Sequence, residues 1–233
     1  TARSRGLGDV YKRQIINIST TASSISECLR NIEQQSGFKL KEVLVSFSGE
    51  EVSSTNSVGQ AAISENEVSA RDIENALNMS STLKIPNDKT LLYVVPNSFF
   101  IDGQGNIDDP LGMNGIKLEA RSHLIHCSKN TKDNIKKCLK VSSSGIGIRK
   151  YFYSQLGVAH SVLTDYQKKL GVCVLDIGAG TTDISVYQNG SITFSKVLPY
   201  AGDYITEIIA SALDIQSSDA EAVKKKYGSA FSD

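Results

Sequence analysis

The stretch from residue 172 to residue 187, VCVLDIGAGTTDISVY, constrains the fold of this chain more than any other. An apolar run ends at Asp176, a turn of small residues follows, and a run of alternating apolar residues begins at Ile184. This pattern predicts a strand, a tight loop and an antiparallel return strand. Asn189-Gly190 then predicts a two-residue hairpin turn into a further strand.

The loop within this stretch is a candidate phosphate site. Glycine at positions 178 and 180 permits positive φ angles and close approach of the backbone, so that N–H groups from Gly178 to Thr182 can surround one anion. The hydroxyl groups of Thr181 and Thr182 would add donors, and Asp176, at the mouth of the strand, is placed to hold a hydrated Mg²⁺. The alternative is a glycine-containing hairpin without a ligand, because Gly-x-Gly turns are common.

The residues after the loop exclude two other phosphate-binding motifs. A dinucleotide-binding fingerprint and a Walker A loop both open a helix, and the Walker A loop ends in Gly-Lys-Ser/Thr. Here β-branched residues follow the loop. A phosphate would therefore be held in a turn between two strands.

Composition and charge narrow the class of protein. The 233 residues carry 25 basic and 25 acidic side chains, so net charge does not favour nucleic acid as a partner. No apolar run approaches the ~20 residues of a membrane span and no signal peptide is recognised, so the cytoplasm is the expected compartment. The cysteines lie far apart in apolar segments and are predicted to be reduced core residues. They are Cys28, Cys127, Cys138 and Cys173.

Local signals predict several helix boundaries. Ser64-x-x-Glu67 and Ser218-x-x-Glu221 each have the form of a capping box at the start of a helix. Residues 151–163 are predicted to be helical, and residues 164–170 to form a polar turn before the strand that begins at 172.

Short matches in the same order along the chain add a resemblance. The loop, together with YAGD at 200–203 and SDAEAVK at 218–224, resembles the actin-like ATPase superfamily, and within it the FtsA family of bacterial cell-division proteins. The second phosphate motif of the superfamily has the form DxGxGTxD, and the FtsA family usually carries Gly where this chain carries Ala179. Further matches extend the resemblance over nearly all of residues 15–233. They lie at 44–49, 63–68, 109–112, 123–125, 161–164 and 171–173.

The resemblance implies an α/β chain with the actin-like ATPase (ribonuclease H-like) fold and an inserted α+β subdomain of the SHS2 type, called 1C. Residues 1–14 match nothing in the family and are interpreted as a non-native scar, with a basic nucleic-acid-binding arm as the alternative. The family continues beyond both ends, so we expect the chain to be a piece of a longer protein. The implied divisions are 15–41 as the end of subdomain 1A, 42–139 as 1C, 140–171 as the return to 1A, and 172–233 as the start of the nucleotide-binding subdomain 2A.

The resemblance also implies ATP and Mg²⁺ as cofactors. Gly202 would approach the nucleotide, and Glu221 and Lys224, one helical turn apart, would flank its ribose. Asp183 is expected to brace the loop by hydrogen bonds to its backbone. No residue is expected to act as a general base, so ATP binding with at most weak hydrolysis is the prediction. The residues implied to line the phosphates are Asp176, Gly178, Gly180, Thr181 and Thr182, with Asp176 directed at the metal.

The family's role suggests the function and the partners. Its members bind ATP, polymerise beneath the cytoplasmic membrane and anchor FtsZ filaments at the division septum. Membrane attachment is expected through a C-terminal amphipathic helix, and the FtsZ site through a subdomain, both placed after residue 233. The alternatives are a PilM-like protein of type IV pilus assembly and a sugar- or acetate-kinase relative of the same superfamily. A kinase would need a substrate-binding acid and arginines in its cleft, and the sequence offers no convincing set.

Overall fold

The computed structural model describes residues 10–11, 14–82, 85–142 and 145–230. Its strands are β1 (Val10–Tyr11), β2 (Gln14–Ile15), β3 (Glu42–Phe47), β4 (Ser53–Ala62), β5 (Lys89–Ile101), β6 (Gln104–Ile107), β7 (Lys117–Ser128), β8 (Gly147–Tyr153), β9 (Val172–Ile177), β10 (Thr182–Gln188) and β11 (Ser191–Leu198). Its helices are α1 (Ile18–Ser36), α2 (Ala70–Ser81), α3 (Lys129–Ser142), α4 (Ser154–Val162), α5 (Asp165–Leu170), α6 (Gly202–Leu213) and α7 (Ser217–Tyr227). No helix in the described ranges is long and apolar enough to cross a membrane.

A four-stranded antiparallel sheet lies between β3 and β8 in the chain, in the order β4-β7-β5-β6. Helix α2 covers one face of this sheet, where Ala76 meets buried side chains of β5 and β7, among them Phe99 and Leu118. The helix lies directly on β4, because a Cβ atom at Gly59 would overlap the carbonyl oxygen of Ala76. Glycine at position 59 is therefore what permits this close packing.

Strands β3 and β8 form a separate parallel pair. The pairing aligns Val45 with Tyr151 and Phe47 with Tyr153, and it corrects the prediction that residues 151–163 are helical from their start. Tyr153 is 0% exposed and belongs to the main core, so burial between elements decides its conformation. The helix, α4, begins only at Ser154.

The segment before β9 is the short helix α5, where a polar turn was predicted. Thr164 caps it: its hydroxyl accepts from Gln167 N at 3.3 Å, and Gln167 Oε1 accepts from Thr164 N at 2.9 Å. This reciprocal pair satisfies two backbone donors, which stabilises a helical turn even in a polar segment.

The third sheet is antiparallel in the order β11-β10-β9, as the sequence predicted for the loop and its flanking strands. The turn between β10 and β11 has positive φ at both Asn189 (52°) and Gly190 (86°). Two consecutive positive φ angles are what a two-residue hairpin turn of this sequence requires, so the predicted turn is confirmed.

The hairpin β10–β11 packs against the four-stranded sheet. One apolar cluster combines Val52 and Ile125 with Tyr187, Ile192 and Val197 of the hairpin. Beside it lies a buried polar network around His123, which is 1% exposed. The His123 Nδ1 atom lies 2.6 Å from Asn56 Oδ1, and its Nε2 atom lies 2.9 Å from Ser195 Oγ.

Two of the predicted capping boxes do not cap the helices that they were predicted to start. The start of α2 is capped by Ser69 and Asp72, not by Ser64 and Glu67. Ser64 still takes part, since its hydroxyl donates to Asp72 Oδ1 at 3.1 Å. The hydrogen bonds from Ser69 hold the pKa of Asp72 below its usual value. The N-cap residue of α7 is Gln216, which makes no side-chain cap bond, so the predicted Ser218 capping box is wrong.

Two of the four cysteines are not core residues. Cys127 and Cys138 are buried, as predicted, whereas Cys28 and Cys173 are exposed. Cys173 lies on β9, an edge strand whose alternate residues Leu175 and Ile177 are also exposed. The prediction that Cys173 is a core residue is therefore wrong, because among the described residues only the opposite face of β9 is covered.

The predicted domain boundaries remain predictions. The structure shows which elements contact each other across them. Strand β3, assigned to the insert at 42–139, pairs with β8, and α3 packs against α1. Val10–Tyr11, inside the predicted scar at 1–14, pairs with Gln14–Ile15 at the end of that segment. Residues 1–9 and 12–13 lie outside the described residues.

The buried His123 predicts a loss of stability in mild acid. Burial, with a smaller contribution from His126, lowers the pKa of His123 from 6.5 to about 4. The unfolded chain therefore binds a proton near pH 6.5 that the folded chain does not, so full stability is present above pH 6.5 and falls as the pH drops toward 4. We expect a loss approaching about 1.4 kcal/mol per pH unit in this window, measured by urea unfolding.

Other groups also titrate in this range, so the difference between variants is the informative quantity. His123→Gln should be less stable than the natural chain at pH 7.5, and the gap should narrow at pH 5. His160→Gln, at an exposed position, serves as the control. An unchanged gap between pH 7.5 and 5 would contradict a neutral buried His123.

Candidate functional site

The loop at 178–181 joins β9 to β10 and is closed by one backbone hydrogen bond, from Gly178 N to Thr181 O at 3.0 Å. Neither Gly178 nor Gly180 has a positive φ. The predicted use of left-handed glycine is therefore wrong, and small size is the property that remains. Ala179 also lacks a positive φ, so its methyl group introduces no left-handed strain.

Unused donors concentrate in this loop. Within the described residues, the N–H groups of Ala179 and Gly180 donate to no acceptor. The hydroxyl of Thr181 is also without a partner there, although Thr181 is only 1% exposed. Unpaired buried polar groups are unfavourable unless a ligand or water satisfies them. Adjacent free N–H groups beside an unpaired hydroxyl suit an anion such as a phosphate.

Thr182 has a different role from the one predicted. Its hydroxyl donates to the carbonyl oxygen of Tyr200 at 2.6 Å. The single hydroxyl hydrogen is thereby used, so Thr182 ties the loop to the turn before α6 and adds no free donor.

Asp176, near the end of β9, is half-buried and lines a cavity of about 430 Å³. Three serine residues, Ser46, Ser48 and Ser154, line the same cavity. The Asp176 carboxylate accepts a hydrogen bond from Gln155 Nε2 at 3.0 Å. Among the described residues no group of three His, Cys, Asp or Glu side chains could hold a metal ion. Asp176 is the one carboxylate among the residues that line this cavity, so a cation held there would be largely hydrated.

Asp183, on β10, pairs in register with Asp176 and is 0% exposed. It was predicted to brace the loop through backbone hydrogen bonds. In the structure its Oδ1 atom accepts from Ser48 Oγ at 2.7 Å. Asp183 thus links β10 to the segment after β3 and helps to bring Ser48 beside Asp176.

Helix α6 starts against the loop. Gly202 N donates to Gly178 O at 3.1 Å, and Asp203 N donates to Ala179 O at 2.7 Å. These bonds satisfy helix-start donors that would otherwise be unpaired. A Cβ atom at Gly202 would lie 3.5 Å from Gly178 O and 3.8 Å from Lys224 Nζ, which is ordinary contact. Space alone therefore does not require glycine at 202.

Glu221 and Lys224 lie on α7 and form a polar cluster with α6. Lys224 Nζ donates to Gly202 O at 2.9 Å and to Thr206 Oγ1 at 2.7 Å, and it pairs with Glu221. Thr206 Oγ1 donates to Glu221 Oε2 at 2.6 Å. Hydrogen bonds from Lys224, Thr206 and Lys225 lower the pKa of Glu221 to about 2, so the carboxylate is ionised at neutral pH.

The structure places the sequence-predicted residues in two connected groups. Gly202, Glu221 and Lys224 form the first group, and the loop with Asp176 before it forms the second. The hydrogen bond from Gly202 N to Gly178 O joins the two groups. Three contacting residues were missed: Gln155, Ser48 and Thr206. The first two act across 21 and 135 residues of sequence. No local motif marks them, because their partners come close only in the folded chain.

Two family models match this chain. The model described as "SHS2 domain inserted in FTSA" matches residues 49–126, which span the sheet β4-β7-β5-β6 and α2. The model described as "Cell division protein FtsA" matches residues 173–233, which include the loop, α6 and α7.

Relatives match nearly the whole chain. A "Cell division protein FtsA" from Pseudomonas aeruginosa is 38% identical over 231 residues, covering 99% of this chain and 54% of the relative. That of Escherichia coli K12 is 34% identical over 228 residues, covering 98% of this chain and 53% of the relative. The chain therefore spans about half the length of these relatives.

A solved structure shares the fold. The "PilM-PilN type IV pilus biogenesis complex" contains a chain that superposes with a TM-score of 0.65 at 16% identity. The superposition covers 97% of this chain and 61% of that one. The expected actin-like ATPase fold with an inserted SHS2 subdomain is thereby confirmed.

Thr206→Val should destabilise the joint between α6 and α7. Thr206 is 4% exposed, and its loss leaves Lys224 and Glu221 each with one partner fewer. We expect the free energy of unfolding to fall by about 1–2 kcal/mol, measured by urea unfolding. The pKa of Glu221 should rise, because one of its donors is lost, and an NMR titration measures this.

Ser211→Ala, at an exposed position on the same helix, is the matched control and should change neither quantity. If Thr206→Val behaves like Ser211→Ala, the cluster does not hold α6 to α7.

Proposed function

The chain belongs to the FtsA family of cell division proteins, and from that premise we propose that its 178–182 loop binds the phosphates of ATP. The observation that carries the proposal is the set of unused donors in the loop: the N–H groups of Ala179 and Gly180 and the buried hydroxyl of Thr181. Within the described residues these groups have no protein acceptor, and phosphate oxygens would accept from all three donors.

Mg²⁺ is the second proposed ligand, held by Asp176 through water. The carboxylate lines the cavity beside the loop together with serine hydroxyls, which are oxygen ligands suited to a hydrated hard cation. Bound there, the ion would supply positive charge that offsets the phosphate oxygens. The chain's own part is to hold one carboxylate near the end of β9 and two amide donors in the short turn that follows.

The other residues are proposed to border the nucleotide. The small Gly202 permits close approach at the start of α6, and its carbonyl oxygen accepts from Lys224. Glu221 and Lys224 are already paired with each other, so a ribose hydroxyl would join an existing hydrogen-bonded pair. We assign ATP binding to these residues and propose no hydrolytic step for them.

The role of the whole protein is proposed from the family. It would polymerise at the cytoplasmic face of the membrane and anchor FtsZ filaments at the division site. The SHS2 region is the proposed self-association surface, and some of its large apolar side chains are exposed. They are Val58, Met79, Leu111, Met113 and Ile116.

A PilM-like role in pilus assembly is the second candidate. The solved PilM-PilN structure shares this fold at 16% identity, which supports the architecture alone. The relatives at 34–38% identity are cell division proteins and favour the first candidate.

Asp176→Ala should weaken Mg-ATP binding by about tenfold or more, because it removes the carboxylate that faces the metal. Titration of the ¹⁵N-labelled chain with Mg-ATP, followed by NMR, measures the affinity. The amide signals of Ala179 and Gly180 should move in the natural chain.

Asp165→Ala removes an exposed carboxylate elsewhere and is the matched control. Equal affinity of the Asp176 and Asp165 variants, or unmoved Ala179 and Gly180 signals at saturating nucleotide, would contradict the proposed site.

Self-association should depend on the SHS2 region. Ile116 is 74% exposed, and Ile116→Asp should lower the association constant by placing a charge on the contact surface. Sedimentation of the chain at rising concentration measures this. Val162→Asp, at a position 60% exposed outside that region, is the control. A natural chain that stays monomeric at high concentration would count against the contact role.

A further inference from the structure

A buried glutamine contacts the candidate metal-directed carboxylate. Gln155 lies in the first turn of α4, its side chain is 0% exposed, and its Nε2 atom donates to Asp176 Oδ2 at 3.0 Å. Gln155 belongs to none of the motifs that identify the loop.

The contact with Asp176 accounts for the orientation of this amide. Among the described residues, Asp176 is the one hydrogen-bond partner of the Gln155 side chain, and Gln155 Oε1 is buried without any. Rotating the amide by half a turn would place Oε1 against a carboxylate oxygen, which is repulsive. The NH₂ group must therefore face Asp176.

The amide holds Asp176 without neutralising it. A lysine in the same place would supply a positive charge that repels a cation, whereas an amide donor fixes one oxygen and leaves the full negative charge. The other oxygen, Oδ1, accepts no hydrogen bond from the described residues, and Asp176 lines the cavity shared with Ser46 and Ser154. Carboxylates that bind metals are commonly held by such neutral donors.

We propose that Gln155 is a positioning residue that orients the Asp176 carboxylate toward Mg²⁺ at the nucleotide site. The inference rests on the proposed function of the loop. It predicts that Gln155 affects the binding of Mg-ATP and not the binding of metal-free ATP.

The test is a double-mutant cycle in the 233-residue chain, with Gln155→Met, Asp176→Asn and the double variant. Methionine has a similar shape and no donor. ATP affinity is measured by NMR titration with Mg²⁺ and again with a chelator. Gln155→Met should weaken Mg-ATP binding about tenfold and leave metal-free ATP binding unchanged. In the Asp176→Asn background it should have no further effect, since the two residues act as one unit.

Two further variants serve as controls. Ser161→Ala alters an exposed residue on the same helix, which donates to Gly157 O at 2.9 Å and does not line the Asp176 cavity, and it should keep the natural Mg²⁺ dependence. If Gln155→Met fails to fold, Gln155→Asn keeps the amide on a shorter side chain that cannot reach Asp176, and the same loss is expected.

The outcomes separate the two proposals. If Asp176→Asn weakens Mg-ATP binding and Gln155→Met does not, the positioning role alone is overturned. Equal losses for Gln155→Met with and without Mg²⁺ also overturn it, because they show a structural effect. If Asp176→Asn leaves Mg-ATP binding unchanged, the proposed metal role is wrong and the positioning role falls with it.

Discussion

Two backbone hydrogen bonds hold the candidate site together: Gly202 N to Gly178 O, and Asp203 N to Ala179 O. They join the first N–H groups of α6 to carbonyl oxygens of the loop. The loop is thereby fixed against a helix start, and among the described residues no acceptor takes its N–H groups at 179 and 180. Lys224 extends the connection to α7 through the carbonyl oxygen of Gly202. A turn that is already held in place loses little conformational entropy when its unpaired donors bind an anion.

The parallel pair β3–β8 supplies the other side of the site. Strand β3 ends at Phe47, which places Ser46 and Ser48 beside Asp176, and β8 leads directly into α4, which carries Gln155. The hydrogen bond from Ser48 to the buried Asp183 fixes this arrangement. The cavity at Asp176 therefore depends on pairing between segments about a hundred residues apart, as the Ser46–Ser154 contact across 108 residues illustrates.

The hairpin β10–β11 joins the site to the SHS2 region. Its apolar residues share a core with Val52 and Ile125, and its Ser195 contacts the buried His123. A neutral histidine is needed there, because protonation would bury a charge within a network of neutral partners. Mild acid is therefore expected to weaken the contact between the hairpin and the SHS2 region, away from the loop at 178–181.

The sequence by itself determined the strand–loop–strand pattern at 172–187, the Asn189-Gly190 turn and the family, because these follow from local periodicity, turn chemistry and ordered motifs. Tertiary structure decided what each side chain contacts. In the folded chain Tyr151–Tyr153 belongs to a strand, and Cys173 is exposed on an edge strand. Glu221, predicted to cap a helix, contacts Thr206 and Lys224. Gln155 shows the same limit, since its only described partner lies 21 residues away. Periodicity reports which face of an element is apolar, whereas the covering of that face and the pairing of buried polar groups depend on which distant segments meet.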